Sequence, residues 1–586
     1  VKRPQSALNA SSPGSATADP WDSLCQEIDA VFGPADAPGQ APPLPPRAWA
    51  EAYRRIDDQP FSLDRYAPLQ EPYDDDHPFQ VYRKCAQVGV SEMAITKACH
   101  ALDAGARYWQ TGKSGLNVAY LFPTGAALSD FSKERFSSLK DESVYLAKLF
   151  DGSPYDDVGF KQVGASYLYL RGTHSKKSLK SFPADILILD EYDEMDPTAV
   201  AMADKRLRAS VVKRKIALST PLLPGLGIDA LYAQSDMRIW ETHCPACDVW
   251  SELDFFRDVR VANADRAEWQ HWDTERLLRG PITVHCPNCK RTIDRSGPGR
   301  WRAQRPDVTA IRGYHIPALA FPSVDLSALV QASVSTNPAQ VAEFYRSDLG
   351  LPFEPAGSRI TLAMLTQLSH ALIGGALPSG PWRQTTMGVD VGARLHYRIS
   401  STGPDGARYI RAMGSVANWV ELDRLIATYQ VRRCVIDALP ELHACKDWAL
   451  GQHGKVARAL YPNGMAGELV RTKIEKNDEG REIAGSEQVL INRTMAMDAV
   501  FHAVATAAEH WPVSIHNDTE VQAHMIAPIR VMAKNDQGQE QARWAHTAPD
   551  HLFHACVYDL IAFQTLPKGL PGLPLAQGRT KGWNPA

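Results

Sequence analysis

Residues 186–191 read ILILDE: four large aliphatic side chains in a row, then two acids. A short apolar run without alternation is the mark of a strand buried on both faces, as in a parallel sheet. Asp190 and Glu191 then stand at the C-terminal edge of that strand, the arrangement of a Walker B site. There Asp190 would hold Mg2+, directly or through water, and Glu191 would polarise the attacking water. The competing reading is a strand that runs into an acidic surface loop, because Asp193, Glu194 and Asp196 continue the charge.

About a hundred residues earlier, KCAQVGVS (84–91) joins a strand to a helix, where backbone N–H groups and the helix dipole hold phosphate. The usual P-loop is G-x-x-x-x-G-K-S/T, but Val90 follows Gly89 and no lysine precedes Ser91. Lys84, at the start of the loop, is the nearby residue able to supply the charge. STP (219–221) ends the next apolar strand and is placed to sense a γ-phosphate, or is a plain strand end. Arg135, Arg206 and Arg208 are the arginines considered as a finger. From 47 to 225, apolar runs (VYRKC, NVAYLF, SYLYLRG, DILILD, KRKIALST) alternate with helix-like segments, which predicts an α/β fold with helices on both faces of a parallel sheet.

A Gly/Pro stretch at 374–382 marks a boundary. Three strand-like runs, a helix and another strand follow, the element order of an RNase H-like fold. GVDVG (388–392) sets Asp390 among apolar residues, where a buried carboxylate needs a partner or a cation. VIDALPE (435–441) repeats the arrangement with Asp437. On neighbouring strands both acids can share a divalent ion, as metal-dependent phosphodiester cleavage requires. DHLFHACVYDLIAF (550–563) offers the third ligand: Asp550, with His551, His554 and Asp559 close by. His554, one turn beyond Asp550, is a neutral ligand able to join it. The bland alternative makes Asp390 a surface acid and Asp550 a helix N-cap.

HCPAC (243–247) and HCPNC (285–289) contribute Cys244, Cys247, Cys286 and Cys289, a set suited to a closed tetrahedral Zn2+ site. The 38 residues between the pairs exceed the usual spacing, so such a site staples the base of a long excursion. Four free thiols are the alternative, and His243 and His285 are competing ligands. The other six cysteines are scattered, which fits a reducing compartment with one metal site rather than a disulfide framework.

The chain has 586 residues, too many for one core, with 44% hydrophobic and 22% charged residues. No apolar run reaches the roughly 18 residues of a membrane span. The basic residues at the N-terminus have no apolar stretch behind them, so that segment is read as a flexible arm and not a secretory signal. A net charge of -4 gives no global case for nucleic-acid binding, so any DNA contact is local: Lys176, Lys177 and Lys180, or Lys213, Arg214 and Lys215. The division expected is an arm and linker (1–46), a P-loop ATPase core (47–240), a four-cysteine zinc-bearing insert (241–305), a connecting helical segment (306–381), an RNase H-like nuclease (382–565) and a tail (566–586).

Taken together these motifs resemble the large terminase family of tailed phages, specifically its lambda-like branch, in which the P-loop lysine stands where Lys84 does. The likeness includes QVGVSEM (87–93), LFPTGAALSDFSKERF (121–136), LKSFPADILILDE (179–191), the STP strand, HCPAC, GRWRAQ (299–304), RGYHIPAL (312–319) and FYRSDLGLPF (344–353). It implies ATP held by Lys84, Gln87, Gly89, Ser91 and Asp190, with Glu191 catalytic. It further implies a Mg2+- or Mn2+-dependent nuclease at Asp390, Asp437 and Asp550; the family usually has an acid where His554 stands. The expected partners are double-stranded DNA, a small terminase subunit and the portal protein. The expected setting is a homo-oligomeric ring in the host cytoplasm, transiently docked on the procapsid and without membrane contact. By the same likeness the N-terminal arm meets the small subunit and the tail meets the portal. The rival readings are a P-loop helicase or DNA-remodelling ATPase, and a non-enzymatic zinc-bearing DNA-binding adaptor.

Overall fold

The computed structural model describes residues 42–566 except 152–154, 174–178, 180–181, 356, 370–376, 463–464, 466, 478 and 535–539. Residues 1–41 of the N-terminal arm, all of the tail after Leu566, Lys176, Lys177, Lys180 and residues 374–376 of the Gly/Pro boundary lie outside the described residues. Among the described residues, no helix is long and apolar enough to cross a membrane. The chain forms two compact units. The first comprises residues 1–221, 227–334 and 344–351, and the second 222–226, 335–343 and 352–586.

The first unit is built on a predominantly parallel sheet. Its main strands are β1 (Phe79–Lys84), β2 (Asn117–Phe122), β3 (Ser166–Gly172), β4 (Ile186–Asp190), β5 (Arg214–Ser219), β6 (Arg238–Cys244) and β7 (Arg312–Ile316). They lie in the order β6-β7-β1-β5-β4-β2-β3, every neighbouring pair parallel. All five residues of β4 are buried, as the unbroken ILILD run requires. Helix α1 (Val90–His100) follows β1 after a five-residue loop.

Two features depart from the sequence reading. RGYHI, within a segment read as irregular and then helical, is β7, an inner strand paired along its length with β1. The Cys-bearing excursion leaves from β6 and returns through strand Gly299–Ala303, antiparallel to β6. Its Cys244, Trp269, Leu277 and Cys286 belong to the same hydrophobic cluster as β1 and β2, so it shares a core with the sheet.

The second unit carries β8 (Arg383–Val391), β9 (Leu395–Thr402), β10 (Arg408–Val416), helix α2 (Trp419–Tyr429), β11 (Arg433–Asp437), β12 (Val456–Leu460), β13 (Val470–Lys476) and β14 (Glu482–Ile491). The order is β13-β14-β12-β11-β8-β9-β10. β8, β9 and β10 are antiparallel, while β11 and β12 join β8 in parallel. Helix α3 (Thr519–Ile526) and the buried helix α4 (His551–Gln564) complete the parts that matter here. α4 lies directly on β8 at Gly388, where a Cβ atom would stand 2.1 Å from the Ala555 carbonyl oxygen.

Candidate functional site

The parallel pairing of the first unit brings the ends of β1, β5 and β4 side by side, β5 in the middle. Lys84, buried at the end of β1, donates from Nζ to Glu191 Oε1 at 3.0 Å. Ser91 Oγ, in the first turn of α1, donates to Asp190 Oδ1 at 3.2 Å. The Tyr120 hydroxyl from β2 donates to the other oxygen, Oδ2, at 2.7 Å. Ser219, at the end of β5, reaches Glu191 Oε2 at 3.4 Å and accepts from the Asp193 N–H at 3.2 Å. A lysine, three hydroxyls and two carboxylates from five elements thus meet at one sheet edge.

The backbone is bent to suit. Gln87 and Glu191 both adopt left-handed φ of 56°, uncommon for residues with a side chain and characteristic of functional turns. Gly89, at φ 86°, precedes α1 without a side-chain cap, which leaves the helix start to an anion. Burial, and next the Glu191 charge, push the Asp190 carboxyl above its ordinary value, so a cation beside it offsets a real cost. Burial raises the Tyr120 hydroxyl further, as does Asp190, while Arg135 acts in the opposite direction. Sequence reading missed Tyr120, since nothing in NVAYLF distinguishes it from a core aromatic. Arg214 and Lys215 form ion pairs within the chain, with Asp76 at 3.7 Å and Asp204 at 2.8 Å.

The four cysteines of the excursion gather with all sulfurs within 4.8 Å of one another. Cys244 and Cys289 are 3.7 Å apart, Cys247 and Cys286 3.8 Å. The edge of a tetrahedron with Zn–S bonds of 2.3 Å is about 3.8 Å. His243 pairs with Asp248 at 2.8 Å and His285 Nδ1 lies 2.8 Å from the Lys290 carbonyl, so both histidines have other partners.

In the second unit Asp390 is the last residue but one of β8 and Asp437 ends the adjacent β11. Burial is the main cause that lifts the Asp437 carboxyl to about 6, with the Asp390 charge acting the same way; the Leu439 N–H and the Tyr558 hydroxyl pull it down. Asp550 is the residue before α4, but its side chain caps nothing; Oδ2 lies 3.5 Å from His554 Nε2. Burial raises Asp550, yet the hydrogen bond and charge of His554, with His546 and Arg493 behind, leave it below the ordinary carboxylate value.

Among the described residues, the groups whose ligand atoms share reach in this unit are Asp390 with His396 and His551, and His396 with Glu520 and His524. Asp437, Asp550 and His554 belong to neither group. His551 Nδ1 stands 2.8 Å from Asp390 Oδ2, and that hydrogen bond raises its pKa. Asp559, noted in the sequence as close by, is fully buried between Arg398 (3.1 Å) and Arg408 (3.4 Å), with hydrogen bonds from Thr386 and Ser400. Its place is structural. His396 was missed because it becomes visible only through register: it faces Asp390 across the β8–β9 pairing.

A family model described as phage terminase large subunit gpA, ATPase domain, matches residues 73–301, and one described as terminase large subunit gpA, endonuclease domain, matches 311–568. The chain belongs to the gpA family of phage large terminase subunits. The large terminase of bacteriophage HK97 is 11% identical over 88% of this chain and 98% of that one, with a TM-score of 0.47. The ATPase domain of the Thermus phage P74-26 large terminase is 14% identical over 50% and 97%, TM-score 0.27. The large terminase nuclease of thermophilic phage G20c is 10% identical over 31% and 82%, TM-score 0.21. No curated protein matches.

This terminase is therefore an enzyme with two activities, ATP hydrolysis and endonucleolytic cutting of DNA, in phage DNA packaging. Its ATPase model spans the Lys84–Ser219 cluster and both cysteine pairs, and its endonuclease model spans Asp390, Asp437 and α4.

Proposed function

We propose that the terminase uses the cluster at the ends of β1, β4 and β5 to hydrolyse ATP and drive double-stranded DNA into a procapsid. The observation that carries this is the meeting of Lys84, Ser91, Asp190, Glu191 and Ser219 within hydrogen-bond reach. Lys84 supplies the phosphate-binding charge that Val90 does not, with Gln87 and Gly89 shaping the loop. Ser91 and Asp190 would hold Mg2+, which neutralises phosphate charge when bound. A phosphate arriving at Lys84 competes with Glu191 for it, and Glu191 is then free to accept a proton from water. Ser219 touches Glu191 from the middle strand, so it is placed to pass the state of that carboxylate to β5.

For the nuclease, Asp390, Asp437 and Asp550, with His554, would hold Mg2+ or Mn2+, which supplies an activated water and stabilises the leaving oxygen. The sulfur spacing at Cys244, Cys247, Cys286 and Cys289 supports a structural Zn2+ that ties the base of the excursion to β6. The partners we assign are the small terminase subunit and the portal protein, with a ring of copies docked transiently on the procapsid in the host cytoplasm.

The test is supercoiled-plasmid cleavage and DNA-stimulated ATP hydrolysis by the full chain. Lys84→Ala and Glu191→Gln should each lower ATP turnover by ~1000-fold, the scale of losing a phosphate-charge group, and leave nicking intact. Asp390→Asn and Asp437→Asn should do the reverse. ATP turnover retained by both ATPase variants would sink the site assignment.

A further inference from the structure

Beside the nuclease carboxylates the second unit holds a cluster that the two activities leave unused. His396 projects from β9, while Glu520 and His524 come from α3, one helical turn apart and so on one face. A ligand atom of each lies within 4.8 Å of the others, and His396 Nε2 is 3.7 Å from Glu520 Oε1. Both histidines are more than nine-tenths buried. His396 Nδ1 is buried with no hydrogen-bond partner, a rare condition for a polar atom in a folded interior. Its ring also stacks on His551, with centroids 4.5 Å apart at 11°, so the face of the imidazole is already taken by a neighbour.

We propose that His396, Glu520 and His524 form a second cation site, selective for a divalent transition metal. Two imidazoles and one carboxylate are the donor set of Zn2+, Mn2+, Fe2+ or Ni2+, whereas Mg2+ favours oxygen donors and retains its waters. The buried imidazoles fix two positions, and Glu520, half exposed, brings the neutralising charge from the solvent side. The ion would bind α3 to the central sheet beside Asp390, to which His396 is the cross-strand partner. The site does not rest on the nuclease assignment, since neither Asp437 nor Asp550 is among its ligands.

Equilibrium dialysis of the zinc-loaded full chain against micromolar Ni2+ in millimolar Mg2+ tests it. The wild-type chain should retain one Ni2+, and Ni2+ should raise its melting temperature. His396→Gln, His524→Gln and Glu520→Gln should each weaken retention by ~10-fold or more and remove the Ni2+ effect on melting. Asp437→Asn should retain the ion while losing DNA cutting, which separates this site from the nuclease. If His396→Gln does not fold, the two α3 variants give the same answer from the other element. Undiminished Ni2+ retention in the His524→Gln and Glu520→Gln chains would overturn the proposal, as would its loss in Asp437→Asn.

Discussion

Gly388→Ala tests the packing that holds the nuclease site together. The added Cβ would stand 2.1 Å from the Ala555 carbonyl oxygen, 2.2 Å from the Asp559 nitrogen and 2.8 Å from the Tyr558 carbonyl carbon. Contacts of this kind relax near 3.5 Å, so α4 must move away from β8 by about 1 Å. It cannot do so freely, because Leu552 through Asp559 are all buried against the sheet and its neighbours. Overpacking of a rigid interior on this scale costs ~3 kcal/mol. In a unit of this size that lowers its melting transition by ~6–12 °C. Asp390 lies two residues along β8, and α4 carries His551 and His554, so the same shift should reduce plasmid nicking by ~100-fold. Differential scanning calorimetry and a nicking time course read the two effects. Gly451→Ala is the control, since its Cβ meets nothing within 4 Å. A Gly388→Ala chain that melts within ~2 °C of the wild type and cuts at the wild-type rate would refute the close-approach argument.

Tyr120→Phe removes the hydroxyl that holds Asp190 Oδ2; Mg2+ dependence of ATP turnover should shift by ~10-fold, and an unchanged titration would show that Tyr120 does not orient Asp190. Cys244→Ser should cost one zinc per chain by elemental analysis and open the 248–285 excursion to limited proteolysis; retained metal would count against the thiolate site. Asp559→Ala leaves Arg398 and Arg408 without their fully buried partner and should destabilise the second unit by ~3–5 kcal/mol, read by denaturant unfolding, while ATP turnover stays at the wild-type level. The Asp437 carboxyl, lifted to about 6, takes up a proton as pH falls through that value. Metal has to displace the proton, so the Mn2+ concentration needed for nicking should rise below pH 6 and stay level above it; a flat profile down to pH 5 would remove Asp437 from the ligand set.

Much of the chemistry was legible in one dimension. A fully apolar run ending in two acids points to a strand buried in a parallel sheet with its carboxylates at one edge, and in ILILDE the structure bears that reading out. Two CxxC pairs similarly carry their own geometry, because each knuckle fixes two sulfurs locally. Lys84 could be singled out because Val90 occupies the expected lysine position and Lys84 is the lysine at the start of the loop.

What the chain order could not decide depended on which strands become neighbours. Tyr120 reaches Asp190 only because β2 pairs with β4, and RGYHI becomes an inner strand only because β1 has an open side. Asp559 and His554 look equally available on one helix, yet burial on α4 commits the first to Arg398 and Arg408 and turns the second toward Asp550. The sequence by itself determined the residue types that do the chemistry and the strands that carry them, since composition and local periodicity act over a few residues. Tertiary structure alone decided which histidines face Asp390, because strand register sets His396 across from it and helix docking brings in His551 from 161 positions away.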